Sequence, residues 1–202
     1  MNVFGRLGYI FMLTRLSTAI SEVFSPFVLS GLLITLIAIS TDPSWGIPVA
    51  VSLFFFVGIP LVLSLWMHRT GRITDRFIEV RKQRTPFYLG TLLSYLIGAV
   101  SLNVMQTSHE VKLALNLSVA MLIAVLIVNL KIKVSVHALV AALFCVVFPL
   151  YTPIPALSYL AGAMVWGLTV WARFHLKRHS FVELTLGSVF GVLLAVVYLH
   201  WR

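Results

Sequence analysis

His179 and Glu183 stand four residues apart in the stretch RFHLKRHSFVE, residues 173–183. On a helix that spacing puts both side chains on one face, a turn apart. A carboxylate so placed can accept the imidazole Nδ1–H, which fixes the tautomer and leaves Nε2 with its lone pair. Such a histidine is equipped to act as a nucleophile or general base. Arg173 precedes it by six residues. It reaches the same site only if the chain turns before the helix, and there its planar fork suits a phosphate. A second stretch, KVSVH at residues 133–137, supplies complementary parts. Ser135 and the backbone N–H groups after it would form an anion site at a helix start. His137 could protonate a leaving oxygen, and Lys133 adds positive charge nearby. A third stretch, DRFIEVRKQRTP at residues 75–86, offers Arg76, Arg81, Lys82 and Arg84, moderated by Asp75 and Glu79. Cationic donors, an oriented histidine and a second histidine for proton transfer make up the parts for phosphoryl transfer through a phosphohistidine.

The elements that carry these clusters must sit in a membrane. The 202 residues are 60% hydrophobic and only 10% charged, against about 25% charged in soluble domains, and the mean hydropathy is +1.01. That balance excludes a water-soluble globule. It predicts a single all-α domain over residues 1–202, a polytopic bundle of six to seven transmembrane helices. Apolar stretches long enough to cross a bilayer fall at roughly 24–41, 46–67, 87–105, 112–130, 134–151, 155–172 and 183–200. Ser25-Pro26 opens the first and Asp42-Pro43 closes it; Pro86 is expected to open the third, and Pro153 with Pro155 to divide the fifth from the sixth. Residues 1–22 set Arg6 and Arg15 among Phe4, Leu7, Ile10, Phe11 and Leu16, the pattern of an interfacial amphipathic helix. They lack a small-residue cleavage site, so a cleaved signal peptide is not expected. The single Cys145 forbids an internal disulfide.

Seven crossings put the N-terminus and segments 68–86, 131–133 and 173–182 on one face. That face holds thirteen of the fifteen Lys and Arg residues, leaving Lys112 and Arg202 on the other. The positive-inside rule places the basic face, and all three clusters with it, in the cytoplasm, an inner membrane being the expected location.

The clusters carry a resemblance. In order and placement they resemble the three motifs of the type-2 phosphatidic acid phosphatase superfamily, which includes the vanadate haloperoxidases. That family's third motif, Ser-Arg-x5-His-x3-Asp, is matched by Ala172-Arg173, His179 and Glu183, with Ala for Ser and Glu for Asp. Its second, Pro-Ser-Gly-His, is matched by Val134-Ser135-Val136-His137, without the Pro and Gly. Its first, Lys-x6-Arg-Pro, is matched least: Arg84-Thr85-Pro86 stands at its end, and Arg76, Arg81, Lys82 or Lys133 would replace the absent lysine. The resemblance spans roughly residues 68–191. It implies a lipid phosphatase that needs no metal or other cofactor. His179 would attack phosphorus, Glu183 would orient it, and His137 would protonate the leaving group. Arg173, Arg84, Ser135 and the neighbouring cations Arg81, Lys82 and Lys133 would hold the phosphate. The implied substrates are phosphatidic acid, phosphatidylglycerol phosphate and polyprenyl phosphates or diphosphates; hydrolysis and transfer to an alcohol both remain open, and nucleic acid is not an implied partner.

Two rival readings stand beside this one. His175, His179 and Glu183 recur every four residues, and on a continuous helix they would form a stripe able to bind zinc or iron. That would make the chain a membrane metalloenzyme or metal carrier, although it leaves Ser135 and His137 without a part. A non-catalytic member that binds phospholipid is the other. Blander assignments fit the remaining residues: Lys177 and Arg178 as topology signals, Arg69 and Arg72 as headgroup contacts, and Gly187 and Gly191 as a helix-packing pair.

Overall fold

The computed structural model describes residues 3–75, 78 and 80–202, with side chains from residue 8 onward. Arg76 and Glu79 of the first basic cluster lie outside the described residues, as do the side chains of Phe4, Arg6 and Leu7. The chain is helical over 83% of its length, and no strand occurs among the described residues. The helices are α1 (Val3–Val23), α2 (Pro26–Thr41), α3 (Gly46–Ser52), α4 (Ile59–Arg69), α5 (Arg81–Val104), α6 (His109–Asn129), α7 (Val136–Val147), α8 (Pro155–His175) and α9 (Phe181–Trp201). A π-helical segment, Leu53–Gly58, joins α3 to α4 without a break in direction, and a 3₁₀ turn, Phe148–Tyr151, follows α7.

Local chemistry sets these starts. Ser25, Ser108, Ser135 and Ser180 each turn a hydroxyl onto an N–H of the first turn of α2, α6, α7 and α9, satisfying a donor that has no intrahelical acceptor. Pro26 and Pro155 occupy first-turn positions of α2 and α8, where a missing N–H costs nothing. Pro86 behaves otherwise. It lies inside α5, which begins at Arg81 instead of at the apolar boundary, so the helix extends into the basic cluster and carries Arg84 on a regular turn.

Among the described residues, six helical stretches are long and apolar enough to cross a membrane: Gly8–Thr41, Gly46–Arg69, Arg81–Val104, His109–Asn129, Pro155–His175 and Phe181–Trp201. A seventh, Val136–Tyr151, is shorter. It is the central element, with Ala138, Leu139, Val140, Ala141 and Ala142 buried in succession, and it packs against α2, α8 and α9. None of its residues is fully exposed, so it does not need the length of a lipid-facing span.

Hydrogen bonds sort the connections into two ends. At one, Arg84 Nη1 donates to the Val134 carbonyl at 3.0 Å, Arg81 Nη1 to Leu130 at 2.7 Å and Lys133 Nζ to Arg178 at 2.8 Å, while Arg178 pairs with Asp75 at 3.4 Å. At the other, the Ser108 N–H donates to Asp42 at 2.9 Å, His109 Nε2 meets the Trp201 carbonyl at 2.8 Å, and the Tyr151 and Tyr198 hydroxyls bond to each other. Residues 70–75 and 78, 130–135 and 176–180 therefore share one end, the grouping that alternate crossings predict.

The α7–α9 crossing fixes the site's framework. Gly187 and Gly191 lie so close to α7 that a Cβ would strike the carbonyl oxygens of Ser135 and Leu139. Only glycine permits this approach, and one turn before Gly187 comes Glu183.

Candidate active site

Arg173, in the last turn of α8, and His179, before α9, are brought together by a tight reversal. The Lys177 N–H donates to the Phe174 carbonyl at 2.9 Å and the Arg178 N–H to Arg173 at 3.1 Å. Lys177 adopts φ 54°, so it takes the left-handed position that glycine usually fills in a Schellman ending. The chain then restarts at Ser180, whose side chain accepts from the Glu183 N–H at 3.3 Å while the Ser180 N–H donates to Glu183 Oε2 at 3.3 Å. This capping box holds the carboxylate where His179 Nδ1 meets the same Oε2 at 2.7 Å. Glu183 thus caps α9 and orients the imidazole at once.

His179 lies outside the spanning helices, and its pKa is pushed down to about 2, by burial first and then by Arg173, Arg84 and Lys133. The ring is neutral, so its contact with Glu183 is a hydrogen bond to a carboxylate and not an ion pair. With Nδ1 committed to Glu183, the lone pair resides on Nε2.

Three further side chains close around His179. Arg84, Arg173, His137 and His179 are each only 2–6% exposed, and all four line one cleft. Arg84 is held by Nε on the Ile78 carbonyl at 2.8 Å and Nη1 on Val134 at 3.0 Å. Ile78 adopts φ 52° to offer that carbonyl, an uncommon backbone state for a β-branched residue. Arg173 Nη1 donates to Ser21 Oγ at 3.0 Å, and the main chain of Ser21 hydrogen-bonds His137. The N-terminal helix α1 is therefore packed on α8 and braces two site residues, a role that its sequence pattern did not signal. His137 and Val136 begin α7, and their N–H groups belong to a helix N-terminus that faces the cleft.

The other expected phosphate ligands take different places. Ser135 is fully buried; its hydroxyl caps α7 on the Ala138 N–H at 3.4 Å, and its own N–H donates to the Glu183 carbonyl at 3.2 Å. It shapes the helix start and is not among the cleft-lining residues. Lys133 lies 3.9 Å from Glu183 Oε2, beside the cleft. Arg81 caps the C-terminal carbonyls of α6, and Lys82 is exposed; neither lines the cleft. The metal stripe requires a continuous helix through 175–183, and the reversal at 176–180 breaks it. His175 stacks on Trp171 with ring centroids 5.5 Å apart. Among the described residues no three His, Cys, Asp or Glu side chains converge as a metal-binding group.

Beyond its polar end the cleft is apolar. It forms a cavity of about 100 Å³ lined by Phe27, Phe56, Phe87, Met121, Leu122 and Val140. The π-helical segment helps shape it: Ser94 Oγ donates to the Phe55 carbonyl at 2.7 Å, and Phe56 stacks on Tyr95 at 4.3 Å. On α5 the lining residues Arg84, Tyr88, Thr91 and Tyr95 follow spacings of four, three and four, a single helical face. That periodicity is the signal by which Tyr88, Thr91 and Tyr95 were readable in the sequence.

No protein-family model, curated protein or solved structure matches this chain.

Proposed function

We propose that this protein is a membrane lipid phosphatase of the type-2 phosphatidic acid phosphatase kind, cleaving a phosphomonoester or diphosphate through a phosphohistidine. One observation carries the reading: an imidazole held through Nδ1 by Glu183 at 2.7 Å shares the polar end of an apolar cleft with two buried guanidinium groups and a second histidine. A phosphate at that end is neutralised by Arg84 and Arg173 and by the first-turn N–H groups of α7, while its lipid chain occupies the apolar remainder.

In this mechanism the Nε2 lone pair of His179 attacks phosphorus and the bond from phosphorus to the leaving oxygen breaks. The phosphate enters as its monoanion and passes its proton to Nε2 of His137, which delivers it to the leaving oxygen. Water then attacks the phosphohistidine, returns a proton to His137 and releases inorganic phosphate; an alcohol in place of water would give phosphotransfer. Fixed guanidinium groups and helix N–H donors in a water-poor site stabilise charge spread over the equatorial oxygens without reorganising. The basic end faces the cytoplasm on the positive-inside rule.

The test is phosphate release by purified protein from a panel of phosphatidic acid, phosphatidylglycerol phosphate and polyprenyl phosphates, with chelator present. His179→Ala and His137→Ala should each lower turnover by at least about a hundredfold, the usual scale for a positioned proton-transfer group. His175→Ala should retain it. Loss of turnover in His175→Ala together with retention in His137→Ala would overturn the reading, as would release abolished by chelator and restored by zinc.

A further inference from the structure

The hydroxyl of Thr91 marks a place in the cleft where a polar group of the ligand belongs. Thr91 is 4% exposed and lines the cleft, and its Oγ1 has no hydrogen-bond partner among the described residues. Helical threonines usually return this hydroxyl to the carbonyl four residues earlier, as Thr14, Thr18, Thr35, Thr41 and Thr169 do here at 2.7–2.9 Å. Thr91 does not. A buried hydroxyl left without a partner is unfavourable, and its neighbours along the α5 face of the cleft are the aromatic residues Phe87, Tyr88 and Tyr95.

Its position relative to the phosphate end is informative. Thr91 follows Arg84 by two turns on the same face of α5, about 10 Å along the axis. A phosphate on Arg84 occupies part of that interval, and a glycerol unit occupies the rest. The carbonyl of an ester-linked chain then arrives at Thr91. Past this point the cleft abuts a second cavity, the two sharing Ser30 and Met121. That cavity is lined by Leu33, Ile37, Leu117 and Leu143 and reaches Tyr198 near the opposite end. From Pro26 in the first to Ile37 in the second is about 16 Å of α2, about half the 30 Å hydrocarbon thickness of a bilayer. That length matches a chain of one leaflet.

Building on the phosphatase reading, we infer that Thr91 is a specificity-determining residue whose hydroxyl donates to a carbonyl between the phosphate and hydrocarbon of the substrate. The favoured substrate class is thereby an ester-linked glycerolipid phosphate, and a bare polyprenyl phosphate lacks the group that Thr91 reads.

The test uses hydrolysis-resistant phosphonates, so that it reads binding apart from turnover. Three are compared on the purified full chain in detergent: a diester glycerol phosphonate, the matching diether and a prenyl phosphonate. Wild type should bind the diester about two- to tenfold more tightly than the diether, the span of one neutral hydrogen bond. Thr91→Val should collapse that ratio to near one, and Thr91→Ser, which keeps the hydroxyl, should restore it. Equal binding of diester and diether by wild type, tighter binding of the prenyl compound, or a preference surviving in Thr91→Val would each overturn the inference. A wild type that binds the diester but releases no phosphate from any lipid phosphate would instead overturn the phosphatase reading. Failure to bind any of the three would overturn both.

Discussion

Glu183 shows how one side chain can serve fold and chemistry together. Its Oε2 receives the Ser180 N–H at the start of α9 and His179 Nδ1 at 2.7 Å, so the capping geometry is also the orienting geometry. A glutamate reaches both, which is why Glu at this position suits a helix entering the membrane directly after the histidine. The burial that keeps His179 neutral also has a thermodynamic signature. In the unfolded chain the histidine titrates near 6.5, whereas in the fold its pKa is pushed down to about 2. Between those values the unfolded state binds the extra proton, so His179's contribution is complete above about 6.5 and declines as pH falls below it. The slope approaches about 1.4 kcal/mol per pH unit for one proton. Melting temperature in detergent should therefore drop more steeply from about pH 7 to about pH 5 in wild type than in His179→Gln, which has no titrating group there. Parallel curves would contradict a neutral, buried His179.

At the level of elements, the site depends on helix ends held in register. The contact of Gly187 and Gly191 with the α7 carbonyls of Ser135 and Leu139 sets Glu183 beside Ser135, and with it the distance from His179 to His137. Gly187→Ala should force the helices apart, cost about 1–3 kcal/mol of stability as overpacking does, and lower phosphate release. Gly167→Ala in α8, where an added Cβ meets nothing within 4 Å, should be neutral or slightly stabilising. Equal losses at the two positions, measured by thermal melting, would show that the α7–α9 contact is not what fixes the site.

Much of this arrangement was legible in the sequence, because His179, Glu183, Ser135 and the spacing of the apolar runs each follow local rules. Serine caps and alternating crossings are local too. What was not legible depended on contacts distant in sequence. A run of cations has no direction, so composition and spacing did not separate Arg84, which turns into the cleft, from Arg81, which caps α6; only the motif resemblance singled out Arg84. Ser21 sits in a stretch that reads as a surface helix, and only packing on α8 makes it a partner of Arg173. The π-helical segment has no sequence marker apart from the close approach of Gly98 to Phe55. Pro86 misplaced a boundary because helix α5 continues through it into polar residues.

On the scale of the whole molecule, the bundle is a hydrocarbon-lined cleft with one charged end. Buried cations gather where residues 70–75 and 78, 130–135 and 176–180 meet, and the apolar walls extend toward the opposite end along α2, α5, α6 and α7. This polarity is what the proposed lipid phosphate would require. It explains why a chain with so few charges places its buried arginines together: each is held by main-chain or hydroxyl oxygens, Arg84 by Ile78 and Val134 and Arg173 by Ser21. The central claim, that His179 carries the phosphoryl group, is tested most directly by trapping it. Purified protein is mixed with radiolabelled lipid phosphate, quenched in alkali and digested for peptide mapping. The expected result is a label stable to base, lost in acid and located on His179, absent from His179→Ala. A label on a serine or carboxylate, or phosphate release that continues in His179→Ala, would contradict it.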